Sequence, residues 1–147
     1  MQIKRVATLI LVTLGVGMAG MAVGQDDTVK TRQELMKSLG PGLGAVFRMI
    51  RGEREFDAAI AEETMLKVAE HGMVLPTLFP KGSHVGSNAR ELIWDEFEAF
   101  TAIYAELEAA GRAGAEAAAA NNVEGVRASF DAVGSACGRC HERYRSQ

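Results

Sequence analysis

The stretch Ser135-Ala136-Cys137-Gly138-Arg139-Cys140-His141-Glu142-Arg143-Tyr144-Arg145 holds both cysteines of this 147-residue chain, with a histidine directly after the second. Counting back from Tyr144, the residues Cys140, Cys137, Val133, Phe130 and Val126 fall at steps of three and four. That spacing predicts an amphipathic helix whose apolar face runs up to both thiols. On such a helix positions i and i+3 share a face, and position i+4 lies beside them. Cys137, Cys140 and His141 can therefore reach one small object inside the fold.

Working outward, Asn121-Asn122 supplies a turn and an N-cap for that helix. The segment before it, Ala89 to about Ala120, places Ile93, Phe97, Phe100, Tyr104, Leu107 and Gly111 on one helical face. Its tail, GRAGAEAAAANN, is rich in alanine, the strongest helix former, and reads as a helix end packed through small side chains. An earlier segment opens at Asp57, a natural N-cap, and carries Ile60, Thr64 and Val68 on one face to about Val74. The loop LPTLFPKGSHVGSN follows, with two prolines and two glycines. The first segment, about Asp27 to Arg51, repeats Val29, Met36, Leu43 and Ile50 every seven residues, with Leu39 and Val46 between them. Gly40-Pro41-Gly42 interrupts this stripe, and a proline inside a helix costs ~3 kcal/mol, so a bend is expected there. No segment shows strand alternation. The expected fold is all-α, an antiparallel up-down-up-down four-helix bundle that brings the start of the first helix beside the end of the fourth.

The N-terminus MQIKRVATLILVTLGVGMAGMAVGQDD has Lys4 and Arg5 ahead of an uncharged, mostly apolar run ending in Ala22 and Gly24. It reads as a secretory signal peptide over residues 1–24, cut near Gly24/Gln25, which leaves residues 25–147 as one exported domain. A retained membrane anchor is the competing reading, disfavoured by the small residues that dilute the run. Taking Lys4 and Arg5 from the 16 basic residues leaves 14 against 19 acidic, a charge of −5. That balance argues against nucleic acid, whose phosphates demand clustered Lys and Arg.

The order Cys-x-x-Cys-His is the attachment signature of c-type haem: each thiol adds to a vinyl group, and the histidine nitrogen binds iron. Two other chemistries use the same residue types. A redox dithiol sits by preference at a helix N-terminus after a strand, where the dipole lowers a thiol pKa, whereas this pair lies in the last turns of a helix. A closed zinc site needs four ligands, and beyond the motif only His71 and His84 offer further imidazoles.

The first helix with TRQELM, the loop LFPKGS followed by ARELIW, and the terminal CGRCHERYR together resemble the class II c-type cytochromes, the cytochrome c prime family. The resemblance covers essentially the whole chain after the leader. It implies a periplasmic mono-haem four-helix bundle, often a homodimer, with one covalent haem c between the start of the first helix and the end of the last. Carried over position by position, it implies that Cys137 and Cys140 form the thioethers and that His141 is the proximal iron ligand. It also implies that Arg32 and Gln33 lie along the haem edge near the propionates, that Asn88 touches a propionate, and that Arg145 is a basic group on the proximal side.

The other face of the iron falls to Met36. It lies about nine residues into the first helix, and His141 about six from the end of the antiparallel fourth. At ~1.5 Å per residue their depths differ by ~4.5 Å. Methionine more often fills core gaps than binds metal. In the resembled family this position either packs over a five-coordinate iron or, in a low-spin branch, supplies a methionine ligand. The first arrangement leaves a site for NO or CO; the second suits an electron carrier that meets redox partner proteins. Metal ligation by Met36 and His141, and therefore electron transfer without catalysis, is the expectation. His71 is expected to favour the carbonyl end of its helix, and Trp94 to anchor the loop. Arg139, Arg143 and Arg145 offer either a docking patch for an acidic redox partner or complements to a helix dipole.

Overall fold

The computed structural model describes residues 23–147, so the expected leader, save its last two positions, lies outside the described residues. Helix α1 runs Val23–Ile50, α2 Ala58–Val74, a short α3 Leu92–Asp95, α4 Phe97–Ala119 and α5 Val123–Tyr144. A 3-10 turn over Leu75–Leu78 prolongs α2. The four long helices form a four-helix bundle. Among the described residues no helix is long and apolar enough to cross a membrane.

The starts of α2 and α5 are fixed by their caps. The Asp57 carboxylate accepts from the Ile60 N–H at 3.1 Å, and the Asn122 side chain from the Gly125 N–H at 3.0 Å. Each satisfies an amide that a helix start leaves without a partner. Asn121 takes φ 52°, the left-handed turn conformation asparagine tolerates better than most residues.

Helix α1 runs through Pro41 to Ile50, as one helix. Pro41 is exposed, so the helix bond it cannot make is lost on the solvent face, where water can replace it. One expectation changes. The third segment is not continuous: Glu96 (φ −122°, ψ 35°) separates α3 from α4. That break shifts the face of the new helix, leaving Phe97 41% exposed while Phe100, Tyr104 and Leu107 are buried.

Helices α2 and α4 pack most closely, then α4 and α5, while α1 meets α5 at few points. Glycines set the first contact. A Cβ on Gly111 would lie 2.6 Å from the Ala69 nitrogen and 2.8 Å from the Met65 carbonyl, both backbone atoms. Two core regions result. Val46, Ile50, Ala61, Ala118 and Val126 close one end of the bundle. Toward the other end lies a larger set centred on Phe100, Tyr104, Val133, Cys140 and Tyr144, and there α1 and α5 stand apart.

Candidate functional site

The gap between α1 and α5 is a cavity of about 730 Å³, within the ~300–1,000 Å³ usual for small-molecule and cofactor sites. Arg32, Gln33 and Met36 line it from α1, Cys140 and His141 from α5, and Asn88 from the loop. With Arg145, which also lines it, seven of the eight residues assigned to the site in the sequence thus share one wall system. Cys137 is the exception; it packs, half-buried, against the neighbouring core one turn back along α5.

The floor is aromatic. Phe100 makes edge-to-face contacts with Phe79, Tyr104 and Tyr144, at centroid distances of 4.8, 5.1 and 5.2 Å. Such pairs hold each other's ring planes. With Ile93 and Met36 they make an apolar interior, while Gln33, Lys37, Asn88 and Arg145 place polar and cationic groups on the same lining. An apolar disc with two carboxylates at its edge asks for that division.

The cysteines are unpaired with each other. Burial pushes the Cys140 thiol up to about 11 and the Cys137 thiol upward as well. Neutral thiols in the last turns of a helix are poor nucleophiles, so the redox dithiol loses its chemical basis. Zinc fares no better: no group of three His, Cys, Asp or Glu residues that could hold a metal ion occurs among the described residues. His141 lines the cavity, and partial desolvation there together with the Arg145 charge lowers its pKa. The neutral imidazole this favours is the form that coordinates iron. The residues present therefore fit a covalent haem: thiols at i and i+3, an imidazole donor beside them, and an apolar cavity in front.

The loop over residues 79–90 forms one cavity wall and is tied on three sides. Trp94 Nε1 donates to the Phe79 carbonyl at 3.1 Å, so Trp94 is the loop anchor its position suggested. The Arg90 N–H donates to the Tyr144 carbonyl at 2.9 Å and the Ser146 N–H to the Asn88 carbonyl at 2.8 Å. Arg32 supplies the third tie, through Ser83 and Ser87.

Glu96, which the sequence reading missed, takes both Nε (2.6 Å) and Nη2 (2.5 Å) of Arg143 and the Tyr144 hydroxyl (3.0 Å), holding the last turn of α5. Its only sequence signal was an acidic residue at the α4 start. Arg139 pairs through Nη2 with Glu106 and donates through Nη1 to Ser135 Oγ. Two of the three arginines expected to meet a partner are therefore spent within the chain, and Arg145 is left at the cavity. His71 also differs from expectation. It is buried, its Nε2 stands 3.0 Å from Ser38 Oγ, and burial lowers its pKa, so it joins α2 to α1 as a neutral ring rather than complementing a helix end.

Comparison with known proteins agrees with this geometry. Residues 27–145 match the family model described as Cytochrome C'. Cytochrome c-556 of Agrobacterium fabrum is 32% identical over 99% of this chain and 97% of its own length. Cytochrome c' of Rhodopseudomonas palustris is 31% identical over 97% of each. The solved structure of a Rhodopseudomonas palustris cytochrome c' superposes with a TM-score of 0.75 at 27% identity, covering 82% of this chain and 97% of that one. The chain, with its Cys-x-x-Cys-His helix facing an aromatic-floored cavity, belongs to the cytochrome c' family, whose members carry one covalently attached haem c.

Proposed function

We propose that this protein is an exported, periplasmic electron carrier whose haem c is held by Cys137 and Cys140 through thioethers and by His141 and Met36 at the iron. The observation that carries the reading is that Met36 and His141, from α1 and α5, line the same cavity. A bound haem supplies an iron that gains and loses one electron. The chain's own residues do the rest. Thioether bonds from Cys137 and Cys140 and the His141 imidazole, all on one rigid helix, would fix the group's position, and the Phe100 cluster would keep water from the cavity floor. A Met36 thioether donating to the iron would favour the reduced state and limit rearrangement on electron transfer. Gln33, Asn88, Lys37 and Arg145 receive the propionate edge.

The absorption spectrum decides between ligation and packing at Met36. A low-spin, six-coordinate spectrum that turns high-spin in Met36→Ala is expected; a high-spin spectrum in the unmodified protein overturns the carrier. The second reading, a five-coordinate protein that takes NO or CO, is favoured by one finding. A matching structure at 25% identity is a nitric oxide complex of a cytochrome c prime mutant from Alcaligenes xylosoxidans. Another match, at 27% identity and a TM-score of 0.77, is a cytochrome c' with ligand-controlled dimer dissociation. Pairing of two copies of this chain is proposed on the same footing, and the solution mass from light scattering in the presence and absence of CO reads it.

A further inference from the structure

Arg32 is only 4% exposed, and no carboxylate among the described residues pairs with it. Its donors go elsewhere. Nη1 donates to the Leu78 carbonyl at 3.2 Å and Ser83 Oγ at 2.9 Å; Nη2 donates to the Ser83 carbonyl at 2.5 Å and Ser87 Oγ at 2.7 Å. Its Cζ lies 4.5 Å from the centre of the Phe79 ring, which packs edge-on against Phe100. Ser87 passes the tie along, donating to the His84 carbonyl at 2.9 Å and accepting from the Ala89 N–H at 3.2 Å. Ser83, at 1% exposure, is buried by the same contact.

Desolvation lowers the Arg32 pKa, and neutral dipoles and the Phe79 ring, with no carboxylate, offset the cost of burying its charge. That arrangement is tolerated only where several acceptors are aimed at a fixed fork, which a guanidinium offers and an ammonium does not. With both terminal nitrogens turned toward Leu78, Ser83 and Ser87, the group is committed to the wall of the cavity before any carboxylate of a cofactor arrives.

We propose that Arg32 is a positioning residue: it clamps the segment Leu78–Ser87 against α1 as a preassembled cavity wall, one turn from Met36, rather than serving chiefly as a propionate partner. Two properties then separate. The wall depends on the geometry of the fork, whereas the electrostatic field at the haem depends only on the charge.

Lys81, exposed in the clamped segment, makes the wall measurable. The test uses the haem-loaded protein, with cleavage after Lys81 by trypsin followed by mass and the reduction potential measured alongside. Arg32→Met keeps an apolar stem and removes the fork. Cleavage should rise about tenfold or more, as expected when a locally opening segment loses one or two charge-assisted hydrogen bonds, and the potential should fall with the lost cation. Arg32→Lys should restore the potential while cleavage stays fast, a split that a loss of general stability would not give. Ser83→Ala combined with Ser87→Ala leaves the charge in place and should also speed cleavage; it decides the matter if Arg32→Met fails to fold. Cleavage at Lys81 as slow as in the unmodified protein, in whichever of these variants folds, overturns the clamp. The cleavage readout does not depend on whether Met36 binds iron.

Discussion

At the closed end of the bundle, Val46 and Ile50 of α1, Ala61 of α2, Ala118 of α4 and Val126 of α5 meet directly, and Arg127 of α5 donates to the Ile50 carbonyl. At the open end, the corresponding space between α1 and α5 is a cavity of about 730 Å³. Small and β-branched side chains let four backbones converge at the first; aromatic rings line the second without meeting across it. The chain thus encodes a small closed core at one end and, at the other, a larger core left open toward α1, where the haem of this family supplies the missing apolar volume. Burying a few hundred Å² of porphyrin is worth on the order of 10 kcal/mol as an upper estimate. Stability should accordingly be divided between the ends: intrinsic at one, borrowed at the other.

The largest break in that division is the pair Cys137→Ala with Cys140→Ala. The intact mass should equal the bare polypeptide. Amide exchange should quicken around Met36 and along residues 79–90, while amides near Ala61, Ala118 and Val126 keep their protection; uniform loss of protection would show that the ends are not separable. Gly111→Ala acts between the ends, because its Cβ would press on the Ala69 and Met65 backbone. It should cost ~1–3 kcal/mol in thermal or denaturant unfolding, with the haem spectrum unchanged. Asp57→Ala removes a cap at the closed end and should cost ~1 kcal/mol, again with no spectral effect.

The smallest effect concerns Glu96 at the open end. Hydrogen bonds from Arg143 hold its carboxyl below the ordinary glutamate value, and the Tyr144 hydroxyl adds to this. A carboxylate with a depressed folded pKa stabilises the fold above its unfolded pKa and loses that contribution as the pH falls through the folded value. The melting temperature of Glu96→Gln should therefore lie slightly below that of the unmodified protein at neutral pH, and the two curves should converge as the pH falls past the ordinary glutamate value and through the lower folded one. A gap that persists in acid would assign Glu96 a role other than its charge.

Much of this division can be read from residue spacing. The seven-residue stripe of α1 packs inward, with Val29, Leu39, Val46 and Ile50 buried and Met36 and Leu43 against the core. Asp57 and Asn122 cap where their types suggest. Periodicity failed at Phe97 because it assumes an unbroken helix, and the irregular backbone of Glu96 resets the register. It was silent on Ser83 and Ser87, since serines in a glycine-rich loop read as turn formers until a partner from another helix is in view. Arg32 was singled out for its place beside the cofactor, yet its bonds run to the loop, a distinction of side-chain reach that no spacing encodes.

The backbone bonds from Arg90 to Tyr144 and from Ser146 to Asn88 have a consequence for biogenesis. A chain that emerges N-terminus first delivers α1, α2 and α4 before residues 137–146. The loop can have no tail to hook onto until those residues have followed, and both cysteines arrive in the same final stretch. The pocket is therefore still unlatched at the moment its cysteines become reachable, and latching comes last.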